Sequence, residues 1–187
     1  MRTSGFSPSR GRDDESTESK PAREKKPPTP ERLEQRARNV LLHQLARSAK
    51  STQQLRKILE NREIPSEIAE RVLERFTEVG LIDDAAYAET IVNSRRNFKG
   101  LSKSAIKREL NEKGVPAPLI ESAIESITAE DDFEAAKELA ARRIRQMSAL
   151  TRDVRERRLA GYLGRKGYPS SVVFAAIKFA ESQIESV

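Results

Sequence analysis

The sequence contains no cysteine and no tryptophan, and only one histidine, among its 187 residues. Without cysteine the chain has no disulfide framework, no thiolate metal site and no cysteine nucleophile, which fits a reducing compartment. No stretch approaches the roughly 18 consecutive apolar residues of a membrane-spanning helix, and the N-terminus lacks the apolar centre of a signal peptide. We therefore expect a soluble cytoplasmic protein.

Apolar side chains are sparse relative to charged ones. Hydrophobic residues make up 36% of the chain and charged residues 34%, with aromatic residues at only 5%. A core built from this composition must be spread thinly over long, heavily charged helices, because there is too little apolar surface for one large interior. The composition therefore favours an elongated, modular protein.

Positive charge is concentrated in two parts of the sequence. Basic residues outnumber acidic ones by 35 to 29, a net charge of +6 that suggests an anionic partner. Residues 95–108 include six cations and no acidic residue. Residues 142–166 include nine cations against only Asp153 and Glu156. Each concentration predicts a local basic face.

Residues 1–30 combine Ser, Thr, Pro, Gly and mixed charge with a single large aromatic residue, Phe6. Such a segment cannot bury enough apolar surface to offset the entropy lost on ordering, which predicts a disordered tail. A nucleic-acid-binding arm is the alternative. The low net charge of the segment favours the plain tail.

From Glu31 onward apolar residues recur at steps of three and four, the pattern of amphipathic helices, and no convincing strand pattern appears. Residues 51–76 realign with 102–127 when 51 is added to each number, and residues 110–124 realign with 163–177 when 53 is added. A period of about fifty residues indicates a repeat architecture. We predict three three-helix repeats, at 31–82, 83–128 and 129–187.

The repeats share a turn between the second and third helices. It reads "KGVP" at 113–116 and "KGYP" at 166–169. Glycine suits the left-handed end of a helix, proline suits the start of the next one, and the residue between them is forced to be extended. We predict that this residue is an apolar pin between the helices: Ile64, Val115 and Tyr168. Glu63 replaces the glycine in the first repeat, which predicts a turn that is either more strained or differently shaped.

A short helix, a tight turn and a longer helix also suggest the DNA-binding helix-turn-helix. The third helices include "PLIESAIESI" and "SSVVFAAIKFA", which are poor in the Arg, Asn and Gln side chains that read base edges. Helical hairpins repeated for packing are therefore favoured. A helix-turn-helix transcription regulator stays as the alternative function.

The sequence contains no catalytic constellation for a hydrolase or nuclease. His43 is isolated, and we expect it to have a packing or surface role. Asp83 and Asp84 lie at a predicted helix start, where carboxylates cap the helix, and no third hard metal ligand lies nearby. The sequence "GYLG" at 161–164 lacks the Lys-Ser/Thr and the preceding strand of a phosphate loop. We expect no enzyme activity, no cofactor and no metal.

The central signature is "LIDDAAYAETIVNSR" at 81–95, followed by "KGLSKSAIKRELNEKGV" at 99–115. It combines an apolar pair, two aspartates, an aromatic residue, a helix ending in arginine, a basic-glycine loop and I-x-x-E-L-x-x-K-G. In this order these elements resemble the bacterial RecX family, and the resemblance extends from about residue 41 to the C-terminus. The departures are Glu63 in place of the turn glycine and three prolines where family members often have Ser or Asp: Pro65, Pro116 and Pro169.

The resemblance implies an all-α protein of three tandem three-helix repeats that form an elongated, curved body. It implies a monomeric regulator of homologous recombination and the SOS response that binds the RecA filament on single-stranded DNA and inhibits RecA. Weak direct DNA binding is compatible with this role. The candidate contacts to RecA or to DNA phosphates are ten cations: Arg95, Arg96, Lys99, Lys103, Lys107, Arg108, Arg142, Arg145, Arg155 and Arg158. The alternative is that they form solvated basic faces.

Overall fold

The computed structural model describes residues 29–185, so the predicted tail lies outside the described residues except at its end. Within residues 29–185 the chain forms nine α-helices and no β-strand, which confirms the all-α fold of three-helix units. The helices are α1 Pro30–Arg47, α2 Thr52–Glu60, α3 Ser66–Glu78, α4 Asp84–Ser94, α5 Lys103–Glu112, α6 Ala117–Ile124, α7 Ala129–Ile144, α8 Arg152–Arg165 and α9 Ser170–Glu185. A π-helical turn, Arg95–Lys99, follows α4, and a short 3-10 turn, Arg145–Met147, follows α7.

Short polar side chains fix where the helices begin. The Ser51 hydroxyl accepts the N–H of Gln54, and the Gln54 side chain accepts the N–H of Ser51, so that α2 opens with a capping box. Ser102 caps α5 with its hydroxyl. The Asp83 carboxylate accepts two backbone N–H groups in the first turn of α4, as predicted for a capping residue.

The turn between the second and third helices has the same form in all three units. The helix ends at a left-handed residue, with φ of 57°, 72° and 86° at Glu63, Gly114 and Gly167. The following residue points into the core and is 4%, 4% and 5% exposed at Ile64, Val115 and Tyr168, which confirms the predicted apolar pin. Of the two alternatives predicted for the turn at Glu63, the structure has the strained one, because a side chain at positive φ meets its own backbone.

Pro65 and Pro116 stand where the third helices begin, as predicted, and each is the capping residue just before the first helical position. Pro65 and Pro116 have φ of −55° and −58°, close to the helical value, but extended ψ of 139° and 137°. Their carbonyl oxygens accept the N–H groups of Ala69 and Ile120 at 2.9 and 3.1 Å and so begin the hydrogen-bond ladder. Proline fits because its fixed φ serves a cap as well as a helix.

Each unit has its own hydrophobic core. Leu59, Leu110 and Leu163 are equivalent positions of the three second helices, and each is 0% exposed. The core of the first unit is formed by α1, α2 and α3, that of the second by α4, α5 and α6, and that of the third by α7, α8 and α9. The thin apolar content of the sequence is thus divided among three small interiors.

The first joint lies between the first and second units, where α2 begins and α5 ends. The Ser51 hydroxyl donates to the carbonyl oxygen of Lys113 at 2.5 Å. The N–H of Thr52 donates to the Asp84 carboxylate at 2.8 Å. The second unit therefore supplies a helix C-terminus and a carboxylate to the free N-terminus of α2.

The second joint lies between the second and third units, where α5 begins and α8 ends. The N–H of Ser102 donates to the carbonyl oxygen of Lys166 at 3.0 Å. The N–H of Lys103 donates to the two carboxylate oxygens of Asp132 at 3.2 and 3.1 Å. Asp132 in α7 thus has the role that Asp84 has in α4.

Candidate functional site: a basic groove

Arg95 stabilises the second unit from within. Its guanidinium forms a two-pronged ion pair with the Glu109 carboxylate of α5, at 2.7 and 2.5 Å, and its side chain is 17% exposed. Hydrogen bonding from Arg95 lowers the pKa of Glu109 and keeps it ionised. Arg95 therefore has a structural partner inside its own unit.

Arg96 and Lys103 belong to the second joint. The Arg96 guanidinium lies 2.5 Å from the Asp132 carboxylate of α7, and the two side chains are 18% and 12% exposed. The Lys103 ammonium donates to the carbonyl oxygen of Ile127 at 2.7 Å. Arg96 thus links the second unit to the third, whereas the Lys103 side chain has its contact inside the second unit and only its backbone N–H reaches Asp132.

Lys107 has a counterpart in the first unit that explains its position. Its ammonium lies 2.5 Å from the Glu121 carboxylate of α6. Adding 51 to the numbers of Arg56 and Glu70, which also form an ion pair at 2.5 Å, gives the numbers of Lys107 and Glu121. The ion pair thus recurs between the second and third helices of two units, and the Lys107 side chain stays 48% exposed on the surface of the middle unit.

Besides the paired Lys107, two further candidates of the middle unit are exposed. Lys99 ends the π-helical turn, and Arg108 lies on the outer face of α5. Both line a cleft that Arg165 of the third unit also borders. The structure thus brings one cation of α8 next to cations of the second unit.

In the third unit Arg155 is a buried structural residue. Its guanidinium contacts both carboxylate oxygens of Glu181 in α9 at 3.0 and 2.5 Å, and the side chains are 12% and 2% exposed. Arg145 lies on the 3-10 turn and is exposed. Arg142 and Arg158 are exposed on α7 and α8, and both line the groove described next.

The strongest concentration of exposed cations lies where α7, α8 and the π-helical turn meet. Two adjoining depressions share Arg143, Gln146 and Tyr162 in their walls and form one continuous surface, which we call the basic groove. Its cationic side chains, apart from the paired Arg96, are Lys99, Arg142, Arg143, Arg157, Arg158, Arg165 and Lys166. Glu138 is the acidic residue that lines it. Seven cations against one carboxylate make a surface that attracts polyanions.

Tyr162 organises the middle of the basic groove. The Arg143 guanidinium and the Lys166 ammonium lie 5.7 and 5.5 Å from the centre of its ring, within cation–π range. The Lys166 ammonium also donates to the carbonyl oxygen of Lys99. These contacts orient the cations without neutralising them, because neither contact supplies a negative charge.

The π-helical turn forms one rim of the basic groove and carries Phe98, whose side chain is 88% exposed. The turn ends at Gly100, which has φ of 57°, and a Cβ added at this glycine would lie 3.0 Å from Leu139 of α7. The buried Tyr168 hydroxyl donates to the carbonyl oxygen of Gly100 at 3.2 Å, and burial raises the pKa of Tyr168 to about 12. The turn is therefore fixed against the third unit.

The sequence predicts the region of the groove but not which residues line it. The concentration at residues 142–166 is a usable signal for the third unit. It does not distinguish the exposed Arg157 from the buried Arg155, because the ion-pair partner of Arg155 is distant in sequence. The cationic and aromatic groove residues outside the ten candidates are Phe98, Arg143, Arg157, Tyr162, Arg165 and Lys166. An exposed phenylalanine such as Phe98 is not part of the periodic apolar pattern of a helix, so the sequence does not indicate its role.

Neither a membrane span nor a metal site is visible in the described part of the chain. Within residues 29–185, no helix is both long and apolar enough to cross a bilayer. The same residues contain no cluster of three or more His, Asp or Glu side chains arranged to hold a metal ion.

Fold and groove define a class of protein: a chain of three tandem three-helix domains with an exposed, strongly cationic groove where the second and third domains meet. The sequence matches the family models for the first, second and third three-helix domains of RecX over residues 37–76, 83–124 and 130–177. The chain belongs to the RecX family.

Relatives and solved structures agree with this assignment. The chain is 44% identical over 157 residues to the regulatory protein RecX of Streptomyces coelicolor, covering 84% of this chain and 83% of that one. It is 37% identical over 149 residues to that of Thermobifida fusca, covering 80% of each chain. A crystal structure of RecX from Lactobacillus salivarius has the same fold, with a TM-score of 0.68 at 19% identity over 80% of this chain and 97% of that chain. Another, of a regulatory protein RecX, has a TM-score of 0.66 at 28% identity over 80% and 73%.

Proposed function

We propose that the protein is a non-enzymatic modulator of homologous recombination and of the SOS response in DNA repair, acting in the cytoplasm as a monomer. It binds the RecA filament on single-stranded DNA and inhibits RecA. Membership of a family of regulatory proteins supports a regulatory role. The observation that carries the proposal further is the basic groove, because a filament built on DNA is a long polyanion.

The arrangement of units suits a filamentous partner. Three helical units joined in series give a long surface, and stacked repeats commonly bind extended partners in this way. The basic groove spans the second joint, so that the second and third units contribute cations to the same surface. We infer that this surface faces the filament.

The helix-turn-helix alternative finds less support in the third helices. In α6 the residues are APLIESAI, with no Arg, Asn or Gln for base edges. In α9 the exposed large hydrophobic side chains are Phe174 and Phe179, at 70% and 37% exposure, and Lys178 and Gln183 are exposed beside them. Among the third helices, α3 also exposes Arg71 and Arg75. The cations of the basic groove, in contrast, lie on α7, on α8 and its C-terminal end, and on the π-helical turn, away from the helices that such a motif places in the major groove.

The test compares two triple variants in co-sedimentation with RecA filaments and in inhibition of strand exchange. The first variant replaces the groove cations Arg142, Arg158 and Arg165 by Ala. The matched control replaces three exposed arginines of the first unit, Arg36, Arg47 and Arg62, by Ala. Both remove three positive charges, so a general loss of net charge affects them equally.

We expect the groove variant to need about tenfold more protein for the same inhibition, with a salt dependence of binding reduced by up to about three phosphate contacts. The control should behave as wild type. Equal inhibition by all three proteins would exclude the groove as the contact surface, and the absence of wild-type co-sedimentation would exclude the function itself. Replacing Arg96 and Lys103 is a poor test, because the Arg96 side chain holds the second joint and the Lys103 side chain has a structural contact inside the second unit.

A further inference from the structure

The position of Phe98 is the most unusual feature of the basic groove. Phe98 is 88% exposed on a surface that several cations line, together with the apolar residues Ala135 and Leu139. Lys99, Arg142, Tyr162 and Lys166 line the same part of the groove. An exposed aromatic ring beside several cations is the combination by which proteins bind single-stranded nucleic acid: cations contact phosphates, and a ring stacks on a base.

The backbone of the π-helical turn is fixed on both sides of Phe98. Arg95 and Arg96, at its start, are tied to Glu109 and Asp132, respectively. Gly100, after its end, accepts the hydroxyl of Tyr168. A ring carried on a backbone fixed at both ends loses little further conformational freedom when it binds, which favours stacking. π-Helical turns of this kind frequently occur at functional sites.

We propose that the basic groove binds single-stranded nucleic acid, with an unpaired base stacked on Phe98 and the neighbouring phosphates contacted by Arg142, Arg158, Arg165 and Lys166. The inference rests on the proposed function, since it assigns the groove to the DNA strand of the filament and not to the recombinase. A duplex does not offer the same contact, because its bases are already stacked. An acidic protein segment would use the cations but has no need of an exposed phenyl ring.

The chain contains no tryptophan, so Phe98→Trp introduces a single fluorophore at the proposed stacking position. Phe174→Trp is the matched control, because Phe174 is also exposed, at 70%, and α9 contributes no lining residue to the groove within the described part of the chain. Each variant is titrated, without RecA, with single-stranded oligothymidine and with a duplex of equal length. Fluorescence anisotropy of the labelled oligonucleotide gives the affinity.

We expect oligothymidine to quench the emission of the Phe98→Trp protein and to leave that of the Phe174→Trp protein unchanged, with little quenching by the duplex. Phe98→Ala should weaken binding roughly 5- to 100-fold, the range of one base-stacking contact, and Phe98→Leu should weaken it as well because leucine has no ring. Binding should also weaken steeply as salt increases.

Three outcomes would overturn the inference: no binding of oligothymidine by the wild-type protein, binding without quenching at position 98, or binding of polyglutamate as tight as that of oligothymidine and insensitive to Phe98→Ala. The measurements with RecA test the proposed function independently of the stacking site. If Phe98→Ala protein co-sediments with RecA filaments and inhibits them as wild type does, the proposed function stands and the stacking site is wrong. If the wild-type protein binds oligothymidine but not the RecA filament, the proposed function is wrong and the nucleic-acid site stands.

Discussion

The first and second joints connect equivalent helix ends but differ in the donor group and in charge. The Ser51 hydroxyl donates in the first joint, and the Ser102 N–H donates in the second. At each, the N-terminus of one second helix meets the C-terminal carbonyl of the next second helix, Lys113 in the first joint and Lys166 in the second. At each, an aspartate from the following unit accepts a backbone N–H. The helix ends of opposite partial charge are thus paired in a form that can be repeated along the chain.

The second joint adds an ion pair that the first joint lacks within the described residues. Arg96 lies beside Asp132, which is 9% exposed. Subtracting 51 from Arg96 gives Leu45, a partly buried residue packed against the core of the first unit. At the first joint the Asp84 carboxylate therefore accepts a backbone N–H, whereas at the second the Asp132 carboxylate also pairs with a cation that must stay paired. Because Arg96 also belongs to the π-helical turn, this pair fixes Phe98 relative to α7.

The largest expected effect on stability comes from a core residue and shows how much each core contributes compared with the joints. Leu110 is 0% exposed in the second unit, which takes part in both joints. Leu110→Ala should lower the free energy of unfolding by about 2–5 kcal/mol, because it leaves a cavity in a small core. Urea unfolding followed by circular dichroism measures the loss. If a joint variant costs more than this one, the units depend on their joints and not on their own cores.

The second prediction compares the two aspartates directly. Asp132→Ala leaves the Arg96 guanidinium, 18% exposed, without its carboxylate, and should lower the free energy of unfolding by about 3 kcal/mol. Asp84→Ala removes one backbone contact at the first joint and should cost about 1 kcal/mol. Both are measured by urea unfolding under the same conditions.

A double variant identifies the cause of that difference. Arg96→Leu with Asp132→Ala removes both charges and copies the leucine that the first joint has at Leu45. It should recover part of the loss of Asp132→Ala, since no unpaired charge remains. Equal losses for Asp132→Ala and Asp84→Ala, or no recovery in the double variant, would show that the ion pair does not distinguish the joints.

The helices, the repeat and the apolar pins were predictable because their signals are local. Leu110 and Val115 occur at fixed steps within one unit, and a shift of about fifty residues shows the same pattern again. The roles of the cations were not predictable in this way. Arg96 pairs with a residue 36 positions away, and Arg155 with one 26 positions away. The number of cations in a segment can be read from the sequence, but only the packing of helices decides which are paired.

The turn glycines show that close packing at a joint restricts which residue can occupy the turn. A Cβ on Gly114 would lie 2.5 Å from the side chain of Gln53 in the first joint, and one on Gly167 would lie 2.6 Å from Ala105 in the second. Glu63 has the same left-handed conformation, but its side chain is exposed. Glycine at a joint is therefore favoured for two reasons: the backbone has a positive φ, and a neighbouring side chain lies too close for a Cβ. In the turn of the first unit only the positive φ favours glycine.

The smallest expected effect tests this distinction. Glu63→Gly should raise the free energy of unfolding by about 0.5–1 kcal/mol, since it relieves the strain of a left-handed side chain and loses some of that gain to the more flexible unfolded chain. Gly114→Ala should lower it by about 2 kcal/mol, because strain of about 1–2 kcal/mol is joined by the contact with Gln53. Thermal and urea unfolding measure both variants. A neutral Gly114→Ala would mean that Gln53 moves aside freely, and the glycine would then be explained by φ alone. A loss on Glu63→Gly would mean that the exposed Glu63 side chain has a stabilising contact that outweighs its strain.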